Sequence, residues 1–327
     1  VTLSLVRDEH PGYEFLGTPE YGTEEWHTSR SLKLGGSEIA AVLGLSEYAS
    51  YYSVFCRKMG IDIGDKDSPD AEWGRRSEPS IMDRFEEDHP ELNLHRSPGR
   101  YVRKDRRWQL ASPDGIVGQD GFNVGVFEAK TAMYADGWGR PGTFHVPPGY
   151  RAQVLWYLDI LGLRRAWLSV RIGSCDYREF YLDLDTDQEA AEDLALLLER
   201  GSAFIDRLKA GDWPEPGDGS DATYEAARHV HPEIEDVEVE IEDELVGEYL
   251  DAELELDAAE RRFTAARSRV LDAMGTAKHA VMADDERRQR FAYRTARRQA
   301  DGSPGVPYLQ TNKKIKSRLT IQEAGEQ

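Results

Sequence analysis

Ser112-Pro113-Asp114-Gly115-Ile116-Val117-Gly118, a turn at Gln119-Asp120-Gly121, and Val124-Gly125-Val126-Phe127-Glu128-Ala129-Lys130 form the stretch around which the rest of the chain is organised. Two apolar runs flank a turn-forming Asp-Gly, the pattern of a β-hairpin. Asp114 opens the first run; Glu128 and Lys130 close the second. With a side-chain period of two, Glu128 and Lys130 project from one face while Ala129 turns away. Burying two carboxylates and an ammonium in apolar strands is costly unless they hold one another or a metal. The stretch therefore predicts a cation site with a point charge beside it.

At 327 residues the chain can bury a sizeable core and carry an appendage, and 39% hydrophobic with 10% aromatic content suits a folded domain rather than a disordered chain. No apolar run approaches the ~20 residues that span a bilayer. The N-terminal residues lack a basic-then-apolar targeting segment, so a cytoplasmic protein without a membrane partner is expected. Cys56 and Cys175 are too few for a disulfide framework, an iron–sulfur cluster or a four-cysteine zinc site. The net charge of -20 opposes nucleic-acid binding at first sight, because phosphate contacts are made mainly by Lys and Arg. Its distribution is uneven. Residues 233–260 hold fourteen acids and no Lys or Arg, whereas residues 261–318 hold fifteen Lys and Arg against five acids. Residues 1–232 remain acidic by fourteen charges, so any DNA contact there must come from a local patch.

Upstream of the hairpin, residues 1–30 are rich in turn formers and aromatics. Leu34-Gly35-Gly36-Ser37-Glu38-Ile39 then reads as a short helix capped by Ser37 and closed by Gly44, its amides open to a phosphate with Arg30 close behind. A second helix is expected over 50–60. The apolar spacing of 78–88 predicts a third, with Pro79 in its first turn and Glu78 either favouring the helix dipole or turned toward the cation site. Residues 99–131 read as one antiparallel set. Downstream, 132–149 is a Gly- and Pro-rich loop presenting Trp138, Arg140 and Phe144. A helix carries Tyr150 and Gln153, strands follow at 166–172 and 179–184, and an amphipathic helix covers 186–210.

The Trp213-Pro-Glu-Pro-Gly-Asp-Gly linker divides the chain into domains 1–216 and 217–327. Beyond it Leu245, Tyr249, Ala252, Leu256, Ala259, Phe263, Ala266, Val270 and Ala273 recur at alternating steps of four and three, a heptad seam. The seam could pack on this chain's own residues, or on another copy or partner. Gly275 closes the helix, a β-hairpin is expected over 278–297 around Asp284-Asp285, and a flexible basic end follows from Gly302.

Two carboxylates, a backbone carbonyl and waters make an oxygen-rich site of the kind Mg2+ prefers, with Mn2+ a possible substitute. Asp114 and Glu128 supply the carboxylates, the Ala129 carbonyl is a plausible third ligand, and Lys130 could orient or help deprotonate an attacking water. Asp with a downstream Glu-x-Lys is a weak pattern alone. Its accompaniment is specific: Arg30, Gly35-Gly36-Ser37, Gly74-x-x-x-Glu78-Pro79, Ser112-Pro113-Asp114-Gly115, Glu128-Ala129-Lys130 and Tyr150-x-x-Gln153, in that order. In this order, over roughly residues 25–205, the sequence resembles the YqaJ-like viral recombinase family, relatives of the phage lambda exonuclease within the PD-(D/E)XK nuclease superfamily. The resemblance implies an α/β (α+β) restriction-endonuclease-like core, a central mixed β-sheet flanked by helices, here extended by a coiled-coil helix and a β-hairpin. It implies Asp114, Glu128 and the Ala129 carbonyl as metal ligands, Glu78 completing the site, Lys130 as the catalytic lysine and Gln153 as the active-site glutamine. It also implies Arg30, Ser37 and Ser112 as receivers of a 5′-terminal phosphate, with Tyr150 beside the substrate.

The function so implied is a Mg2+-dependent 5′–3′ exonuclease acting on double-stranded DNA ends in phage or prophage recombination in the host cytoplasm. It would leave 3′ single strands for a single-strand annealing recombinase, with a homo-oligomer possible. Two alternatives stand beside it: a site- or structure-specific endonuclease of the same fold, and a non-catalytic DNA-end-binding scaffold.

Overall fold

The computed structural model describes residues 10–19, 23, 30, 32–64, 69–283, 288–297 and 305–311. The chain forms two compact units, Val1–Ile234 and Glu235–Gln327. In order, the elements of the first are β1 (Tyr13–Gly17), α1 (Gly36–Val42), α2 (Tyr51–Lys58), α3 (Pro69–Asp88), β2 (Asn93–Arg96), β3 (Arg100–Arg103), β4 (Leu110–Ala111), β5 (Gly115–Gln119), β6 (Phe122–Ala132), α4 (Pro148–Leu161), β7 (Arg165–Ile172), β8 (Asp176–Asp183), α5 (Ala190–Ala210) and α6 (Asp221–Val230). The second unit holds α7 (Asp243–Met274), β9 (His279–Ala283), β10 (Arg288–Thr295) and β11 (Tyr308–Thr311).

The expected hairpin is β5 and β6, joined where Asp120 (φ 51°) and Gly121 (φ 87°) both turn left-handed, as a tight two-residue hairpin requires. It lies inside a five-stranded sheet of order β2-β5-β6-β7-β8. β6 and β7 run parallel, from Gly125 opposite Arg165 to Ala132 opposite Ile172, and the other neighbours are antiparallel. A parallel pair needs a crossover, and α4 supplies it.

The alternation along β6 separates two cores. Phe127 and Ala129 meet Ile81, Met82 and Phe85 of α3. Val126 belongs to the larger core built with Val154, Leu155 and Trp156 of α4. Phe127, Phe85 and Trp156 are fully buried, each worth roughly 1.5–3 kcal/mol of transfer free energy. This mixed sheet flanked by helices is the expected α+β core.

Several elements differ from their sequence expectation. Residues 99–131 are not one antiparallel set: β3 and β4 join β1 in a separate three-stranded sheet, and β1 itself lies in the stretch read as turns. α3 begins at Pro69 rather than near Glu78, so Pro79 sits inside it and Glu78 lies mid-helix, away from the dipole of the first turn. The polar first turns of α3 carry no apolar periodicity, so only its buried second half was legible.

Gly35, not Ser37, caps α1; the Glu38 carboxylate accepts from the Gly35 N–H at 2.8 Å, and Ser37 is exposed in the first turn. Trp138 is buried between Tyr150 and Phe180, and Phe144 packs on the core; Arg140 is exposed as expected, together with Met133 and Tyr134. α6, beyond the Trp213 linker, packs on α2, its Thr223 Oγ1 donating to the Ser50 hydroxyl at 2.6 Å across a small core of Tyr52, Cys56 and Ala226. The first compact unit therefore runs past residue 216.

In the second unit α7 is the expected heptad helix, closed at Gly275. β9 and β10 pair antiparallel, and β11 adds a third strand where a flexible end was expected. Trp26 to Ser29, the Asp284-Asp285 turn, residues 302–304 and the end from 312 lie outside the described residues.

Candidate active site

Asp114 immediately precedes β5, where the β5–β6 ladder ends at Gly115 opposite Phe127. Its carboxylate extends the ladder: Oδ2 accepts the Ala129 N–H at 2.9 Å. Glu128 and Lys130 stand on the same face of β6, the face covered by α4. There Glu128 Oε1 accepts from Lys130 Nζ at 2.6 Å and from Gln153 Nε2 at 2.6 Å. Gln153 is one helical turn from Tyr157, whose hydroxyl accepts its other N–H at 3.1 Å. The Lys130 ammonium lies 5.1 Å from the centre of the Tyr150 ring, which stacks on Trp138.

The electrostatics favour an added cation. Burial, then the Asp114 charge, pushes the Glu128 carboxyl up to about 8 against the pull of Lys130. Burial, then Asp114, likewise pushes Glu78 up to about 7, which places Glu78 within the field of the site from α3. Burial raises Asp114 too, opposed by Lys130 and the Ala129 N–H. For Lys130, burial would lower the pKa, but Glu128 and Asp114 outweigh it and hold the ammonium above its ordinary value.

One ammonium is thus shared by three carboxyl groups, with Arg75 adding to it only at Glu78. Glu128 Oε2, moreover, is buried without a hydrogen-bond partner. A buried carboxylate oxygen left bare beside a second carboxylate suits a hard, oxygen-seeking cation. Among the described residues no three or more His, Cys, Asp or Glu gather into a metal-binding cluster.

The residues of the expected phosphate pocket stand on adjoining segments. Leu34 pairs in parallel with Gln109, so the Gly35-Gly36-Ser37 turn and the β4-to-Ser112 segment leave this bridge in the same direction. A Cβ at Gly36 would lie 2.7 Å from the Tyr157 ring and 2.8 Å from Gln153 Cγ, so the α1 start abuts the Glu128 site directly. Arg30 pairs with Glu38 at 3.1 Å.

Four neighbours were missed by sequence reasoning: Glu38, Lys58, Arg100 and Tyr157. Lys58 Nζ bonds Glu38 Oε1 at 2.9 Å and the Arg30 carbonyl at 3.1 Å. Burial tends to raise the Glu38 pKa, but Arg30, Lys58 and the Gly35 N–H hold it well below the usual carboxylate range. Arg100, buried in β3, has its pKa pushed down to about 10 by burial and then by Arg30. Three cations around one carboxylate leave a local positive excess in a chain of net charge -20. Tyr157 could have been found as the i+4 neighbour of Gln153; Lys58 and Arg100 carry no sequence signal.

Residues 25–164 match the YqaJ-like viral recombinase domain. Over 72 residues the chain is 32% identical to protein D345L of African swine fever virus (strain Badajoz 1971 Vero-adapted), covering 22% of this chain and 21% of the viral protein. It is 25% identical over 222 residues to the YqaJ protein of Bacillus subtilis (strain 168), covering 66% of each. The chain thus spans about a fifth of the viral relative's length. Among solved structures it is similar to the exonuclease LHK-Exo in complex with dAMP, with 20% identity, coverage of 58% of this chain and 94% of that one, and a TM-score of 0.44. All the site residues named above lie within the matched residues 25–164.

Proposed function

We propose that the protein is a Mg2+-dependent nuclease that degrades linear duplex DNA from its 5′ ends. The observation that carries this reading is Glu128: a buried carboxylate bound by Lys130 and Gln153 through one oxygen, with the other oxygen bare beside Asp114. Asp114, Glu128 and the Ala129 carbonyl would hold the cation, with Glu78 approaching from α3. The bound metal supplies charge neutralisation on the phosphoryl group and a water activated near neutral pH. Lys130, kept as an ammonium by its carboxylate neighbours, orients the attacking water and offsets charge developing on the phosphate. Gln153 fixes the Glu128 side chain, and Tyr150 supports Lys130 from beneath.

Arg30, Ser37 and Ser112 receive the terminal 5′ phosphate, with Lys58 and Arg100 adding the positive field that the overall charge lacks. End recognition beside the cleavage site yields 5′–3′ digestion and a 3′ single strand, a substrate for an annealing recombinase in the cytoplasm of a phage-bearing host.

Digestion of end-labelled linear duplex tests the reading. Wild-type protein should release label in Mg2+ or Mn2+ and not in EDTA. Lys130→Ala should lose about 100-fold or more while keeping its circular dichroism spectrum. Removal of the 5′ phosphate should slow digestion. Undiminished activity of the lysine variant sinks the mechanism, equal rates on dephosphorylated ends sink the pocket, and equal cutting of closed circular DNA makes the enzyme an endonuclease.

A further inference from the structure

We propose that α7 pairs with α7 of a second copy of this chain as an antiparallel coiled coil. No described residue of α7 is buried, and Leu245, Tyr249, Leu256 and Phe263 along its seam are 57%, 67%, 62% and 58% exposed. Within its own unit the helix makes its main contacts among the described elements with β9 and β11, and these four seam residues stay more than half exposed. Four heptads of exposed apolar residues on a 32-residue helix are long enough for a two-stranded coil. Other exposed large apolar residues of the helix, Val246, Leu250 and Leu254, stop short of its midpoint, whereas Phe263 carries the exposed heptad stripe past it.

The occupant follows from size and charge. One seam position is alanine in four successive heptads, Ala252, Ala259, Ala266 and Ala273, while the other is large: Tyr249, Leu256, Phe263 and Val270. Two copies laid antiparallel about Ala259 bring Ala252 level with Ala266, and bring Leu256 level with Phe263 and Tyr249 with Val270 to within one residue. Large layers thus alternate with alanine layers that let the two backbones approach. The flanking charges agree. Antiparallel copies set Glu248 beside Arg269, Glu253 beside Arg267 and Glu255 beside Arg262. Parallel copies would instead set Glu255 beside Glu260 and Arg262 beside Arg267, like against like. Glu260 facing its own copy is the one unfavourable contact of the antiparallel arrangement. Opposite macrodipoles side by side favour the same direction.

The test uses the full chain in sedimentation equilibrium. The triple reversal Arg262→Glu, Arg267→Glu, Arg269→Glu should halve the particle mass of the wild type. Adding Glu248→Arg, Glu253→Arg and Glu255→Arg to the same chain should restore it, which shows that the reversal has not simply unfolded the helix. In a Cys175→Ser background, Ala252→Cys mixed with Ala266→Cys should form a disulfide-linked dimer, whereas Ala252→Cys alone should not. A wild-type mass equal to one chain, an unchanged mass in the triple reversal, or cross-linking by Ala252→Cys alone overturns the proposal.

Discussion

Glu128 illustrates how one side chain couples stability to metal and pH. Its pKa is raised to about 8 in the folded chain, so between its ordinary value of 4.5 and about 8 the folded state binds more protons than the unfolded one. Folding stability of the metal-free protein therefore falls across that window as pH rises. Glu78, raised to about 7, acts in the same direction. A cation bound to the ionised form reverses the penalty. In EDTA at pH 8.5 the Glu128→Gln variant should accordingly melt above the wild type, the two should converge near pH 5.5, and Mg2+ should raise the wild type alone. A wild type that melts higher than the variant in EDTA at pH 8.5 would show that burial of this carboxylate is already compensated without metal.

At the scale of elements, the site depends on how closely the start of α1 approaches α4. Gly36 makes that approach possible, because any Cβ there would meet Gln153 and Tyr157 at under 3.0 Å. Both are buried, and Gln153 donates to both the Tyr157 hydroxyl and Glu128, so neither can move aside without disturbing the site. Gly36→Ala should cost about 1–3 kcal/mol, as overpacking does, and lower nuclease activity with it. Wild-type melting and activity in that variant would mean that α1 shifts freely relative to α4. The same contact explains why two glycines precede Ser37: the first caps the helix, and the second makes room.

For the whole molecule, net charge and the proposed phosphate-binding region act against each other. A chain of charge -20 repels DNA at long range, whereas the cations near the site, Arg30, Lys58 and Arg100, are few and partly neutralised by Glu38. Salt screens the repulsion within roughly 10 Å at 0.1 M. It also weakens cation–phosphate contacts, each of which contributes about one unit to the slope of log affinity against log salt. The slope of log kcat/KM against log salt should therefore be shallower than about -2 at constant Mg2+. A steeper fall would mean that many more cations contact DNA than this site provides.

Period-two alternation over 122–132 was enough to put Glu128 and Lys130 on one face, and Asp120-Gly121 to set the hairpin that aligns Asp114 with Ala129. Heptad spacing likewise disclosed α7 and its segregated charge, because a seam repeats within a few residues of backbone whatever lies beyond. Only the tertiary structure decided the surroundings. Lys58 and Arg100 reach Glu38 and Arg30 through packing between elements distant in sequence, Trp138 is buried because α4 and β8 close over it, and α3 extends through polar turns that carry no periodic signal. The charged face was local, written in backbone geometry. The field that surrounds it belongs to the packed chain, since a charge acts across space regardless of its place in the sequence.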